Sequence, residues 1–461
     1  MLRSVMPADI PRVAGIAVDG KVLLFASALS VGAIVLFGSL PALRSMAPNL
    51  LGLLKPTASF ATSFATGTGS GRLLRELMVV VQIALAIVLL VGAGLMVRSF
   101  QRLSEVDPGF RQEGVVSVAV KLPGSRYSRS EWRPFFEQLV ERVRQLPGVN
   151  ACGAVSDLPM SDVGLGFEME FTVLGLDALS PTARPNAEFR LALPGYFDAM
   201  DMEMVRGRAF HTLDTTSDRV VVVVNETLVE RYFKGVDPIG RSLSAAMLGE
   251  VEIVGVVSDI HHENLQSKYE SEIFLPFGRI ATTEMHVVVQ SDLDTAAVAT
   301  AVGEVLADMD SQLVPTQVAA TADLIWESAA QPRFNTALLS GLALCAALLA
   351  IVGTYGIVAY SVSQRTSEIG VRMVLGADST ATVAMIRRQA LGIVLVGVAL
   401  GTLGALGATR FMSQLLFDVQ PTDPLPYGVV LVAAVLVGVL AAWMPARRAT
   451  RIDLLAALRN E

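Results

Sequence analysis

Five stretches of this 461-residue chain are long, apolar and free of charge in their interiors: Val22–Leu40, Leu77–Val97, Thr336–Tyr360, Ala390–Ala408 and Tyr427–Trp443. A helix needs about 20 apolar residues to cross a bilayer core of about 30 Å. No water is present there to satisfy an irregular backbone, so such stretches must be helical. Each is read as a transmembrane helix. The bulk composition agrees, with 52% hydrophobic and only 17% charged residues, more apolar than ordinary soluble domains. Val22–Leu40 is too long, and lacks the early cleavage pattern, for a cleavable signal peptide.

Basic residues are retained on the cytoplasmic side of a membrane. Arg44, Lys55, Arg72 and Arg75 lie between the first two spans, and Arg365, Arg372, Arg387 and Arg388 between the third and fourth. Arg447, Arg448, Arg451 and Arg459 follow the fifth. If all five stretches cross, these sets share one side. The N-terminus and the long stretch from Arg98 to Arg333 then lie outside the cytoplasm, and the C-terminus inside. Arg3, Arg12 and Lys21 oppose an external N-terminus.

A net charge of −7, with no basic stripe interleaved with aromatics, argues against nucleic acid as a partner. Cys152 falls in the external stretch and Cys345 inside a span, so an intramolecular disulfide is not expected.

The stretch from Arg98 to Arg333 reads as mixed α/β. Gly114–Leu122, Val220–Val224, Val251–Val257, Met285–Val289 and Leu313–Val318 have strand character, as do Glu168–Gly175 and Phe189–Leu193. Glu131–Leu146, Asn225–Phe233 and Thr295–Met309 read as helices, the first with Trp132, Phe135, Phe136, Leu139 and Val143 on one side. Two α/β lobes are expected, one joined to the membrane at each end of the stretch.

Several motifs here resemble chemistry. Asp259-Ile260-His261-His262-Glu263 gathers metal-ligand types, but adjacent histidines on a strand face opposite ways, which favours a polar loop. Gly235-Val236-Asp237-Pro238-Ile239-Gly240-Arg241-Ser242 has phosphate-loop spacing with Arg241 for lysine, yet follows a helix and contains Pro238; it reads as a turn. Asn225-Glu226-Thr227 fits a glycosylation sequon, though a helix cap is simpler. No Ser/His/Asp set has a recognisable signature, and no convergent polar site is expected in this domain. No catalytic, cofactor-binding or metal-binding residues are assigned.

The membrane-side motifs are more informative. In Arg365–Ala377, Glu368 precedes Arg372 by four residues, the favourable order on a helix. Thr366 or Ser367 can cap its start and Gly376 its end, while Ile369 and Met373 share a face that could seat in a partner's groove. The alternative is an interfacial loop whose arginines only enforce topology. In the fourth span Gly397 and Gly401 form G-x-x-x-G, followed by Gly404 and Gly407, either a close helix contact or generic transmembrane glycine. Gly67–Gly71 is a flexible linker. A repeat is also visible: Pro41–Lys55 after the first span matches Pro445–Arg459 after the last in Pro, Ala, Arg and three Leu positions. The first span therefore looks like the last span of an earlier copy.

With these motifs in place, residues from about Leu73 to Glu461 resemble a MacB/FtsX-type ABC transporter permease. The resemblance rests on Gln82–Ala86 and Leu89–Leu95 in the second span and Val106–Phe110 after it. Leu146–Val149, Gly195–Phe197, Arg206–Arg208 with Phe210, and Asp237–Gly240 carry it through the external stretch. Arg365–Ala377 and Pro445–Arg459 complete it, the tail departing at Leu454 where proline is usual. The leading span is similar to duplicated orphan permeases, which would make the chain a second half with a leftover helix.

The fold implied is an α-helical transmembrane bundle plus a large mixed α/β extracytoplasmic domain. Its expected parts are residues 1–71 (leftover helix and linker), 72–97 (helix), 98–333 (MacB-like domain) and 334–461 (three helices, with a coupling segment at 364–388 and a cytoplasmic tail). The function implied is that of a dimeric permease of the bacterial inner membrane, coupling a separate cytoplasmic ABC ATPase to motion of its external domains for export or efflux by mechanotransmission. No ATPase activity or cofactor is expected in the chain itself. Arg365, Glu368, Ile369, Gly370, Arg372, Met373 and Gly376 would contact the ATPase, and Gly397 and Gly401 would pack helices. A second permease subunit, identical or a separate first half, and a periplasmic adaptor are the further partners. The alternative is a non-transport regulator whose external domain activates a cell-envelope partner such as a cell-wall hydrolase.

Overall fold

The computed structural model describes residues 69–364 and 379–449, apart from 162–163, 165, 175–184, 218, 246–247 and 279, with a few positions between 20 and 31. The first span and the repeated segments at 41–55 and 450–459 lie largely outside the described residues. Helix α1 (Gly69–Ser104) comes first, followed by β1 (Val115–Lys121), α2 (Arg129–Arg144) and β2 (Val149–Val155). A long excursion comprises β3 (Phe167–Val173), β4 (Asn186–Ala192), α3 (Tyr196–Met200), β5 (Met204–Gly207), β6 (Val221–Asn225), α4 (Glu226–Tyr232), β7 (Ser242–Ala245), β8 (Gly249–Val257) and β9 (Glu272–Pro276). The chain returns through β10 (Glu284–Ser291), α5 (Thr295–Met309), β11 (Gln317–Ala320) and α6 (Thr321–Ser328). Three long helices follow: α7 (Ala330–Gln364), α8 (Ser379–Phe411) and α9 (Pro424–Ala449). The chain divides into two compact units, residues 102–331 and the segments on either side of them.

In the α/β unit, β1, α2, β2, β10, α5 and β11 make a split βαβ arrangement, with strands ordered β11-β1-β10-β2 and antiparallel throughout. Helix α2 buries Phe136, Leu139, Val140 and Val143, the i, i+3, i+4, i+7 stripe of an amphipathic helix. Helix α5 buries Val298, Val302 and Leu306, and its N-cap Asp294 accepts from Ala297 N at 2.6 Å. The excursion between β2 and β10 builds a second lobe. There β4 pairs with β3 and β9, β9 with β6, β6 with β8, β8 with β7, and β7 with β3. The ring of six strands closes on itself and leaves no long open edge. The single pair Val155↔Ala192 joins the two lobes' strands.

This topology corrects the expectation that each lobe would carry one end of the domain. Both ends belong to the first lobe, because β1 pairs with both β10 and β11, for instance Val116↔Val289 and Val116↔Ala320. The sequence of a strand such as β1, buried on both faces from Val115 to Val120, does not specify which distant strand lies beside it. Two further differences are local. Strand β2 was not expected, because Ala151-Cys152-Gly153-Ala154 has few β-branched residues; its Gly153 is required, since a Cβ there would collide with the Tyr196 backbone of α3. The last strand starts at Gln317 rather than Leu313. Asp310 instead makes a turn, its carboxylate accepting from Gln312 N and its carbonyl from Leu313 N. Asn225 is a helix cap as expected: its Oδ1 accepts from Leu228 N at 3.2 Å and from Glu272 N at 2.9 Å, tying α4 to β9.

In the helical unit, Glu76–Ser104, Ala330–Tyr360 and Arg388–Phe411 are long and apolar enough to cross a membrane, and Pro424–Leu440 is a further apolar helical run. Along α1, Val79, Ile83, Ile87, Val91 and Leu95 recur every four residues and are buried against Val394, Val398 and Ala405 of α8 and Tyr427 and Val430 of α9. A Cβ at Gly397 would lie 2.8 Å from Ile83 Cβ, and one at Gly401 2.7 Å from Ile87 Cβ and 2.9 Å from Ala84 Cα. Only glycine allows so close an approach, and in lipid close packing is what holds helices together. Because Ile83 meets Gly397 and Ile87 meets Gly401, α1 and α8 run parallel. Gly353 beside Gln82 and Leu339 beside Gly92 set α7 antiparallel to α1, and Gly438 beside Val394 with Tyr427 beside Thr409 sets α9 antiparallel to α8. Successive helices therefore cross in alternate directions.

A bulky side chain at Gly401 should force α1 and α8 apart. Gly401→Leu is expected to lower the thermal midpoint of the detergent-purified protein, at an overpacking cost of about 1–3 kcal/mol. Gly407→Ala, whose new Cβ would meet nothing within 4 Å, should not lower it. Equal midpoints for Gly401→Leu and the parent protein would contradict the close contact.

Candidate functional site

The coupling residues expected from sequence, Arg365, Glu368, Ile369, Gly370, Arg372, Met373 and Gly376, lie outside the described residues. Their flanks are described: α7 ends at Gln364 and α8 begins at Ser379. On that side of the bundle, Gln389 Nε2 of α8 donates to Glu76 Oε1 of α1 at 2.9 Å. At the opposite end, Arg98 of α1 forms an ion pair with Asp423 at 2.8 Å, and Ser99 Oγ accepts from Phe417 N at 2.8 Å. Tyr427 OH donates to Pro421 O and lies 3.2 Å from Thr409 Oγ1. Gly397 and Gly401 occupy the α1–α8 contact between these two ends.

A convergent polar site, not anticipated from the sequence, lies in the α/β unit. Strands β4 and β9 run parallel with Glu188↔Glu272 and Arg190↔Phe274 in register. The two-residue period places Glu188, Arg190 and Glu272 on one face, opposite the core residues Phe189, Leu191, Ile273 and Leu275. Asp157, just beyond β2, and His262, in the loop after β8, reach the same face. Arg190 Nη1 pairs with Glu272 Oε1 at 3.0 Å, and Arg190 Nε donates to Asp157 Oδ2 at 3.3 Å. His262 Nε2 lies 2.9 Å from the same Asp157 oxygen.

Arg190 is 3% exposed and Glu272 2%. Breaking such a buried pair by removing one partner costs about 3–5 kcal/mol, because the other charge is left uncompensated. Burial pushes the Glu188 carboxyl up, and the neighbouring carboxylates Glu270, Glu168 and Asp157 add to it against Arg190. Burial also acts to raise the Asp157 carboxyl, but the hydrogen bond to His262 and the charges of His262 and Arg190 outweigh it and hold the group low. These groups form one wall of a cavity of about 440 Å³.

The metal-like run Asp259–Glu263 is dispersed. Asp259 accepts from Thr227 N and Thr227 Oγ1, His261 stacks on Tyr269 with centroids 4.5 Å apart, and His262 turns to Asp157. The glycine-rich run at 235–242 is a turn between α4 and β7, with Gly235 and Gly240 at φ +87° and +76°. The polar site did leave one trace in the sequence: Glu188 and Arg190 alternate with apolar residues in β4, and Glu272 heads the apolar run of β9. Such charges survive burial only when paired.

A carboxyl held below its ordinary value stabilises the fold above that value, and the contribution disappears as pH falls through the folded-state pKa. Asp157→Asn is therefore expected to lower the thermal midpoint at pH 7, with the gap to the parent protein narrowing below about pH 4. A gap that stays constant from pH 7 to pH 3 would contradict the ionised role.

Residues 77–305 match the family model of the MacB-like periplasmic core domain, and residues 340–454 that of the FtsX-like permease C-terminal domain. Among similar proteins, "Macrolide export ATP-binding/permease protein MacB" of Rhodospirillum rubrum is 26% identical over 68% of this chain and 51% of its own. "Probable syringafactin export ATP-binding/permease protein SyfD" of Pseudomonas syringae pv. tomato is 27% identical over 58% of this chain and 41% of its own. The chain thus spans about half the length, or less, of these relatives. Of solved structures, the periplasmic region of MacB from Actinobacillus actinomycetemcomitans is 14% identical, covering 49% of this chain and 96% of that one with a TM-score of 0.32. The two family matches follow one another along the chain, the first running from within α1 through most of the α/β domain and the second falling on the helices after it. The chain belongs to the MacB/FtsX-type permease family of ABC transporters.

Proposed function

We propose that this chain is the transmembrane subunit of an export complex, in which a separate cytoplasmic ATPase hydrolyses ATP and the α/β domain moves in response. The observation that carries this reading is the way the chain enters and leaves the α/β domain. It enters from α1 through β1 and leaves through β11 and α6 into α7, and β1 and β11 are paired neighbours in one sheet. A change in the spacing of α1 and α7 would then act on two adjacent strands of one lobe, and the inserted lobe would follow. The apolar spans carry no acidic, basic or histidine side chain in their interiors, which favours force transmission over a polar conduit through the bundle. The names of the relatives, ATP-binding/permease proteins for export, support an ATP-driven export role, with ATP binding and permease joined in one protein there.

In this proposal Arg365, Glu368, Ile369, Gly370, Arg372, Met373 and Gly376 present the contact for the ATPase on the cytoplasmic side. The N-terminus lies outside, the C-terminus inside, and the membrane is the bacterial inner membrane. A second permease subunit completes the complex, and a periplasmic adaptor receives the cargo.

Reversing the charge at Arg372 should break the contact while sparing insertion. Arg372→Glu is expected to reach the membrane at parental levels, and to lower permease-stimulated ATP hydrolysis in reconstituted complexes by about tenfold or more. Undiminished stimulation would remove this segment from the coupling role. A photocrosslinker at Met373 that captures no ATPase in native membranes would count against a motor-coupled permease and in favour of a regulatory one.

A further inference from the structure

The cavity beside Arg190 has a marked charge imbalance. Its walls carry the carboxylates of Asp157, Glu188, Glu263, Glu270 and Glu272, against Arg190, Lys268 and the imidazole of His262. Arg190 is ion-paired with Asp157 and Glu272, while its Nη1 and the neighbouring His262 Nδ1 also lack a hydrogen-bond partner among the described residues. Glu272, which lines the cavity with a side chain only 3% exposed, leaves its Oε2 without a hydrogen-bond partner among the described residues. A buried carboxylate oxygen with no donor costs free energy unless a ligand or ordered water supplies one. The space is also kept open by sequence: a Cβ at Gly164 or Gly166 would collide with the Asp157 carboxylate. Ile260 adds an apolar surface to the wall.

We infer that this cavity is a binding site for a small organic cation, a primary or secondary ammonium compound whose N–H groups answer the surplus carboxylates while its carbon chain lies along Ile260. The volume of about 440 Å³ falls in the range of small-molecule sites and far exceeds what a single metal ion needs. The balance of charge disfavours an anion: five carboxylates outnumber Arg190 and Lys268 in the wall even with His262 counted beside them, and Arg190 is ion-paired with two of the five. The site lies wholly within the α/β domain and is independent of ATPase coupling.

Spermidine is the probe. Titration calorimetry of the full-length chain in detergent should give a saturable heat. The double variant Glu188→Gln/Glu270→Gln removes two wall carboxylates without touching the Arg190 ion pairs, and should weaken the affinity by about tenfold or more. Glu304→Gln, on an exposed position of α5, should bind as the parent does. Absence of saturable binding by the parent, or parental affinity in the double variant, would overturn the assignment. So would saturable binding of Mg²⁺ with spermidine silent. None of these readouts depends on an ATPase, so a failure here is distinct from a failure of the proposed export role.

Discussion

The close approach of α1 and α8 is the contact on which the helical unit depends. Isoleucine at 83 and 87 occupies the room that glycine leaves at 397 and 401, so two backbones meet where a single added methyl group would not fit. In lipid there is no hydrophobic gain from bringing apolar helices together, and shape complementarity must supply the association. The four-residue recurrence from Val79 to Leu95 extends this packing along the middle of α1, against α8 and α9. It also fixes register and direction: once α1 and α8 are parallel and in phase, α7 and α9 fall antiparallel to them. The polar ties at the bundle ends, Glu76 with Gln389 and Arg98 with Asp423, follow from that register.

The α/β domain is organised by an insertion. A split βαβ lobe is interrupted between β2 and β10, and the interruption folds into a closed ring of strands. Closing the ring requires β4 and β9 to lie side by side, and that pairing puts Arg190 and Glu272 in contact on the outer face. The same pairing brings the ends of β2 and β8 near enough for Asp157 and His262 to join them. A buried ionic cluster and the cavity it lines are thus products of topology. The proposed export function uses the first lobe, through which the chain enters and leaves; the proposed cation site uses the second.

Much of the domain was legible residue by residue. The helix at Thr295–Met309 was read with its observed ends, because Asp294 supplies a cap and Val298, Val302 and Leu306 mark one face. The β-branched run at Val220–Val224, observed as a strand from Val221, and the apolar stripe of α2 were equally plain. Strand β2 was missed because its small residues answer a tertiary demand, the packing of α3 against Gly153, and not a strand propensity. The polar site was missed because its members stand far apart in sequence, at 157, 190, 262 and 272, and none carries a local motif.

The sequence by itself determined that the chain spans a membrane, that a large α/β segment is set between apolar helices, and which family motifs recur in order. These follow from local properties: hydropathy over about 20 residues, periods of two and of 3.6, and the chemistry of caps and turns. Only the tertiary structure decided that both ends of the α/β domain enter one lobe, that the inserted strands close into a ring, and that four distant polar residues share one face. Those facts depend on which strands pair across long separations. Pairing is settled by the simultaneous burial of many faces, and no single segment encodes it.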